Sequence, residues 1–576
     1  MFIHLFLMNA IVKASNCFCH SENCWPNNQL WENFNSSVNG RILDIIPMNS
    51  VCRLDNYDAK ACSEVKSNFT NPLWRSNYPG AMQMPLWEMD SPMIVRNNSQ
   101  GCVRSENPTD ACLKGNLLAY LVNATTVDHV RETVKFATLN HLKMVVHNTG
   151  HDLFAKSTEA GALGLWTHYM KGIEFGQFQS NCNSDTSNSV TIQAGVQWAE
   201  VYEEMEKRNV LVQGGGCSTV GAAGGYVQGG GHGFLSHYLG LAVDNVLQFK
   251  VVLANGDFIT ANECQNQDLF WALRGGGGGT FGVVTEVTYK TFPAPESVVG
   301  LFTVIPMNGT TQAHLAHTIL SKHLTRLSDM GWSGFFDVTY MVGGSVKVYF
   351  ANLKLDLLQA KSSLDPMFED LLHLNLIPIK KVVKLYPSFS AYHKFAESSL
   401  SDAASGFLSS NANVNFISGS RLIPRYTLET QFDQYMNVYT DMIPYGIIAI
   451  RGALSGGAVN TNNRSDTSVT PAWKETLLHM MFITPIFSWS NVTTSNQKQQ
   501  IFQNVTLATE IMKELTPNSG AYSNEADVYE KDHQQQFWGD NYSRLLAIKK
   551  QVDPTGFFNC WNCIASEDNQ CNKKSN

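Results

Sequence analysis

The chain has 576 residues, 44% of them hydrophobic and 16% charged, with 41 Lys and Arg against 49 Asp and Glu for a net charge of −8. That length holds two substantial domains, and the acidic balance offers no basic surface for nucleic acid. No apolar run reaches the roughly 18 residues that a membrane span requires.

The chain opens MFIHLFLMNAIVKASNC, with a short apolar stretch from Phe2 to Val12. Val12 and Ala14 are spaced as the −3 and −1 positions of a cleavage site, so 1–14 is expected to be a signal peptide, although the usual basic start is missing. Acceptor patterns for N-glycosylation begin at Asn35, Asn68, Asn97, Asn123, Asn308, Asn463, Asn491, Asn504 and Asn541, a density that favours a secreted glycoprotein. Thirteen cysteines suit an oxidising compartment. Cys560-x-x-Cys563 is read as a disulfide, because no second ligand pair accompanies it at zinc-finger spacing.

Residues 15–112 form a Cys-rich extension with Pro and Asn clusters, which reads as loops and short helices. Periodic order begins at Leu117. Val127, Val130, Val134 and Ala137 lie at i, i+3, i+7 and i+10 and predict a helix. A strand over Leu142–His147 follows and ends at the loop NTGHD. Trp198, Val201, Tyr202 and Met205 mark a second helix, and Val210-Leu211-Val212 leads into GGGCSTVGAAGGYVQGGGHG, Gly214 to Gly233. Phe249–Thr260 alternates around Asn255-Gly256 and predicts a hairpin. A second glycine run, RGGGGGTFGVVTEV, spans Arg274 to Val287 and leads into a strand.

Past Pro293-Ala294-Pro295, strands are expected at Val298–Val304, Phe335–Met341, Val346–Leu353, Ile447–Arg451 and His479–Ile486. Helices are expected around His314–Leu327, Leu357–Leu374 and Thr427–Met442. The economical arrangement is a sheet covered by helices on one face. The aromatics Phe335, Phe336, Tyr340 and Phe350 are assigned to its core.

The long glycine run carries the chemistry. No Gly-Lys-Ser/Thr follows it, so it is not a phosphate-binding P-loop, and no βαβ unit with a ribose-binding acid follows, so it is not a dinucleotide fingerprint. Bare backbone N–H groups there can close on a flat or anionic ligand, and Cys217 places a thiol among them.

With NTGHD, GALGLWTH (Gly161 to His168), GLAVDNV (Gly240 to Val246), NQDLFWALRGGGGGTFGVVTEV and GDNYSRLLAIKKQVDPTGFF, the chain resembles the berberine-bridge-enzyme-like FAD-linked oxidases of the vanillyl-alcohol-oxidase superfamily. The nearest branch is the secreted fungal one that includes isoamyl-alcohol-oxidase-like proteins. The resemblance covers about Leu113 to Pro293 and Gly520 to Ile564. It implies an α+β fold with a two-part FAD-binding domain of the PCMH type, 113–295 and 520–576, around a substrate domain at 296–519 whose open sheet face turns toward the flavin.

It also implies site residues. His151 matches the histidine that bonds the flavin 8α-methyl group, and Cys217 matches the cysteine that bonds C6, so FAD is expected to be bicovalent. That leaves twelve cysteines, an even number able to form six disulfides. Asn148, Thr149, Gly150 and Asp152 of the first loop are expected around the cofactor. So are Gly216, Ser218, Thr219, Gly221, Gly224, Gly225, Gly231 and Gly233 of the second loop, Gly282 and Val284 of the third, and Asn541 and Tyr542 near the C-terminus. Relatives carry a tyrosine base in an A-Y-x-N-Y-x-D pattern. Here Ala521-Tyr522-Ser523-Asn524-Glu525-Ala526-Asp527 puts Glu525 at that position. Glu525 serves as base if partial burial raises its pKa, or else as a structural hydrogen-bond acceptor, with Tyr522 and Tyr542 in reserve.

Val220 in CSTVG matches the residue that governs oxygen access to the flavin, where valine goes with oxidases and leucine with dehydrogenases. Ala222-Ala223, Tyr226 and His147 depart from the pattern of many relatives and leave the contacts to the flavin pyrimidine edge open. The expected protein is a monomeric secreted oxidase of an alcohol, sugar or secondary metabolite that passes electrons to O2. A dehydrogenase of the same fold and a non-catalytic flavin- or glycan-binding protein are the alternatives. Two covalent anchors weigh against mere binding.

Overall fold

The computed structural model describes residues 18, 24–92, 101–102, 104–105, 107–182, 184–402, 415–461, 466–486 and 494–568. The expected signal peptide and the sequons at Asn97, Asn463 and Asn491 lie outside these residues.

Two sheets carry the N-terminal half. In the first, Tyr120–Asn123, Leu163–Trp166 and Met144–His147 run parallel, and Ile42–Asp44 of the Cys-rich extension joins antiparallel at the edge. The helix Val127–Leu139 connects two of these strands. Thr126 caps it by accepting from His129 N, and its apolar stripe of Val130, Val134 and Ala137 is buried. The second sheet is antiparallel, in the order Ile173–Gln179, Thr186–Gln193, Val283–Lys290, Val246–Val252, Phe258–Asn262. Its hairpin pairs Val252 with Phe258 across a turn in which Gly256 takes φ +82°, a conformation that glycine adopts without a Cβ clash.

The chain from Val298 builds one seven-stranded antiparallel sheet. Its order is Lys380–Tyr386, Val298–Asn308, Val342–Asn352, Ser333–Thr339, Ala449–Leu454, Thr476–Ile486, Asn415–Pro424. Side chains alternate along each strand, so one face packs on helices and the other stays free for a site. On the helix side Phe336 meets His317 of the helix Thr310–Asp329, and Phe482 meets Tyr439 of the helix Phe432–Met442. Ser495–Leu515 lies against the Asn415–Pro424 edge. Phe335, Phe336, Tyr340 and Phe350 are all core residues, and Phe335 also lines the cavity on the other face of its strand.

The C-terminal segment packs back against the second glycine run. Trp538 Nε1 donates to Gly275 O at 3.0 Å, and Lys549 Nζ donates to Thr280 O at 2.7 Å. Disulfides join Cys52 to Cys62, Cys102 to Cys112, Cys182 to Cys264 and Cys560 to Cys563, the last as expected. Among the described cysteines Cys217 alone is free. No helix among the described residues is long and apolar enough to cross a membrane.

Candidate active site

A cavity of about 420 Å3 lies between the glycine loops and the open face of the seven-stranded sheet. The NTGHD loop is held in shape by contacts within the protein. Gly150 takes φ +77°, and a Cβ there would stand 2.4 Å from Ala81 O, so only glycine fits. Asp152 accepts Phe154 N at 2.9 Å and Ser157 N at 2.7 Å, which ties the loop's far end to its side chain.

The loop thereby presents His151, whose Nε2 lies 2.8 Å from Thr219 Oγ1. Cys217 Sγ stands 4.0 Å from that Nε2 and 3.5 Å from Thr219 Oγ1. Burial brings His151 down to about 4, so the ring is neutral over the physiological range. Burial, with the Glu397 carboxylate next in weight, pushes the Cys217 thiol up.

Most residues expected around the cofactor line this one cavity: Asn148, Thr149, Gly150, His151, Asp152, Gly216, Cys217, Val220, Gly221, Gly224, Gly225, Gly282 and Val284, with Tyr522 and Glu525 at the far side. Six are placed otherwise. Thr219 stands behind His151, and Ser218 gives its N–H and hydroxyl to Glu397. A Cβ on Gly231 would stand 2.7 Å from the Tyr226 ring, and one on Gly233 would stand 1.9 Å from Gly214 O. These two glycines let the chain fold on itself instead of meeting a ligand. Asn541 donates to Val469 O at 2.8 Å, and Tyr542 bonds to Glu567, both outside the cavity wall.

The departures from the family pattern are accommodated in packing. Ala222 and Ala223 are buried, and Tyr289 Oη donates to Ala222 O at 2.6 Å. Tyr226 lines the cavity and donates to His232 O at 3.1 Å. His147 is buried behind the wall, with Nδ1 3.0 Å from Ser157 O.

The wall fits an extended polar ligand such as FAD. Asn148 Oδ1, Gln228 Oε1 and Gln83 Oε1 are buried acceptors with no partner, on residues that line the cavity. A native fold leaves such atoms unmet at a cost of about 1–3 kcal/mol each, so they point to donors a ligand brings. Around them Gly224, Gly225, Gly278 and Gly279 present backbone without side chains, as a pyrophosphate or ring system requires.

Across the cavity the sheet contributes Phe335, Tyr349, Arg451, Met481 and Ile483, and the helix Phe389–Asp402 contributes His393 and Glu397. Sequence reading missed these charged residues because no motif surrounds them and their strands alternate like any half-buried strand. Arg451 pairs with Asp337, Nε to Oδ1 at 2.8 Å. His232, visible in the sequence only as the histidine of GGGHG, and His479, on the strand Thr476–Ile486, both reach Glu525.

The structure reverses the pKa expected of Glu525. Burial alone raises the carboxyl, but His232 and His479, through charge and N–H bonds, outweigh it and hold the group well below the usual carboxylate range. Tyr522 moves the other way. Burial, then the nearby Glu525 charge, pushes its phenol well above its ordinary value, and Asn524 Nδ2 and Gly231 N both donate to its oxygen. The two donors act in the opposite sense but are outweighed, so Tyr522 keeps its proton and is not suited as the proton acceptor.

The chain matches the FAD binding domain family over residues 118–262 and the berberine and berberine-like family over 521–564. It is 34% identical to an uncharacterized FAD-linked oxidoreductase of Arthroderma benhamiae, over 97% of this chain and 95% of that one. It is 34% identical to FAD-linked oxidoreductase ZEB1 of Gibberella zeae, over 95% and 92%. The VAO-type flavoprotein MtVAO615 from Myceliophthora thermophila C1 superposes with a TM-score of 0.83 at 28% identity, covering 96% of this chain and 97% of that one. Berberine bridge enzyme from Eschscholzia californica, with a TM-score of 0.66 at 17% identity over 93% and 98%, shares the fold. The cavity with its paired His151 and Cys217, the two matched families and full-length relatives at this identity together make the chain a berberine-bridge-enzyme-like FAD-linked oxidoreductase of the vanillyl-alcohol-oxidase fold.

Proposed function

We propose that this protein is a secreted, monomeric oxidase that takes a hydride from an alcohol, sugar or secondary metabolite and returns the electrons to O2 as H2O2, with FAD bonded to both His151 and Cys217. The observation that carries the reading is the 4.0 Å separation of Cys217 Sγ and His151 Nε2 on one wall of a glycine-lined cavity. Thr219 occupies His151 Nε2, which leaves Nδ1 as the nitrogen for the flavin methyl group. In this reading 113–295 and 520–576 form the flavin domain, and 296–519 forms the substrate domain.

Bound FAD would supply the hydride acceptor and the two-electron store. The protein's residues do the rest. Glycine N–H groups and Asn148 hold the cofactor. Phe335, Tyr349 and Met481 give the substrate an apolar wall and exclude water. Glu525, ionised over the physiological range instead of raised as first expected, takes the hydroxyl proton as loss of the hydride acidifies that hydroxyl, and Val220 leaves room for oxygen. Four disulfides among the described residues and the density of sequons support an extracellular setting. Turnover against a panel of alcohols, oligosaccharides and phenolics, read by peroxide, tests the reaction. Reduction of a dye by these substrates without peroxide in air would replace the oxidase by a dehydrogenase.

A further inference from the structure

Glu525 gathers two imidazoles from distant parts of the chain onto a single atom. His232 Nε2 lies 3.1 Å and His479 Nε2 2.7 Å from the same oxygen, Oε2. Oε1 has no hydrogen-bond partner among the described residues, and the side chain keeps 27% of its surface exposed, on the cavity wall. The two histidine rings meet edge to face at 5.0 Å. Tyr522 stands 5.2 Å from His232 and 5.6 Å from His479, and Trp473 backs His479 at 6.0 Å.

We infer that His479 and His232 are positioning residues for this reaction, clamping one oxygen of Glu525 and turning the other toward the substrate hydroxyl. The inference rests on the reading that Glu525 takes the proton. In the step, the substrate O–H bond would break and its proton pass to Glu525 Oε1, and FAD, when bound, would supply the acceptor for the hydride of the alcohol carbon. The proton later leaves to water through the open cavity.

The ring nitrogens say which atom of each histidine donates. Nδ1 of His232 and Nδ1 of His479 are both buried without a partner. A bare acceptor there costs less than an unpaired N–H, which favours the proton on Nε2 of each ring, where it is donated to Glu525. Burial lowers the pKa of His479 against the opposing pull of Glu525.

Other charged and titratable groups face the carboxylate. Arg451, on the neighbouring strand, lies within electrostatic reach and is paired with Asp337, with Tyr349 and Lys347 behind that pair. Tyr522 keeps its proton, and so does Tyr226 beside it. Arg451 therefore adds to the histidine donors in favouring the ionised carboxylate.

The same three atoms have the types of a divalent-cation site. A histidine that ligates through Nε2 needs an acceptor for its Nδ1–H, and neither ring has one. The clamp is the reading the geometry favours.

The test compares Glu525→Gln, His479→Leu and His479→Gln in the holoenzyme. Three quantities are read: kcat/KM against pH, the Glu525 carboxyl band by infrared difference spectroscopy, and bound metal. Glu525→Gln should lower kcat/KM at least about 100-fold at every pH, the scale of one general base. His479→Leu should move the acid limb of the profile, and the infrared titration with it, up by one pH unit or more. His479→Gln, whose Nε2–H reaches the same oxygen, should restore most of that shift. Should His479→Leu not fold, His479→Asn takes its place, its amide falling short of Oε2.

Full activity in Glu525→Gln overturns the reading of Glu525 as base. A dead Glu525→Gln with an unmoved acid limb in His479→Leu overturns the clamp alone. One equivalent of zinc or iron bound by the wild type, and lost in His479→Leu, also overturns the clamp.

Discussion

Cys217 Sγ and His151 Nε2 approach to 4.0 Å although 66 residues separate them, and Thr219 Oγ1 bonds the histidine and touches the sulfur. The contact depends on two loops that are shaped independently. Asp152 fixes the end of one, and the N–H and hydroxyl of Ser218 fix the other to Glu397. Both side chains are thus held in place by the protein's own contacts, as the proposed attachment of FAD to them requires.

The first prediction follows from that pair. After acid denaturation, wild-type protein should keep its yellow colour, and its intact mass should exceed that of the polypeptide by one FAD. His151→Ala and Cys217→Ala should each keep the flavin through the other anchor, and the double variant should lose it. A wild-type chain at polypeptide mass after loading with FAD would remove bicovalent attachment.

How far these features were legible in the sequence differs by element. The helix Val127–Leu139 and the hairpin Val246–Asn262 carry strong local periodicity and turn chemistry, and both formed where expected. The expected helix over Thr427–Met442 is split at Gln431, whose φ of −129° leaves the helical region. The edge strand Lys380–Tyr386 went unseen, since KKVVKLY exposes lysines without clean alternation. The cofactor loops were readable because glycine and cysteine at fixed spacing have few other uses. Phe335 and the clamp around Glu525 were not, because which face a strand turns to the cavity, and which distant histidine reaches one carboxylate, depend on tertiary register.

Buried ion pairing gives a prediction about stability. Lys549 Nζ donates to Asp553 Oδ2 at 2.5 Å, to Phe558 O at 2.6 Å and to Thr280 O at 2.7 Å, joining the C-terminal segment to the second glycine run. Lys549→Met leaves Asp553 charged and buried, a loss of about 3–5 kcal/mol. Urea titration should show that drop, and Lys549→Met combined with Asp553→Asn should recover part of it.

A third prediction concerns pH. Burial, reinforced by the charges of Glu530 and Glu510, raises the Asp527 carboxyl to about 7, and its buried Oδ2 has no donor to stabilise a charge. The unfolded carboxyl titrates near 4. Between about pH 4 and 7 the native state therefore holds a proton that the unfolded chain has released, so this group's stabilisation falls as pH rises through that window. Asp527→Asn, neutral throughout, should flatten that part of the melting-temperature profile. An unchanged profile would assign the pH dependence to other groups.

The last prediction decides where the electrons go. Val220 lines the cavity in the turn after Cys217, its carbonyl accepting Trp198 N at 3.1 Å and its N–H donating to Cys217 O at 3.3 Å. Both backbone bonds are independent of the side chain, so Val220→Leu changes what protrudes into the cavity and leaves the loop in place. If the valine keeps open a passage for oxygen to the reduced ring, one more methylene narrows it. An added barrier of about 1.4 kcal/mol slows the reaction tenfold. Stopped-flow mixing of photoreduced enzyme with oxygen should therefore show fast reoxidation in the wild type and reoxidation slowed tenfold or more in Val220→Leu. Reoxidation by a quinone or dye, which takes electrons at the ring edge, should change little. Equal oxygen rates in the two proteins would reduce Val220 to packing, and a wild type that reacts slowly with oxygen but quickly with the dye would make the enzyme a dehydrogenase.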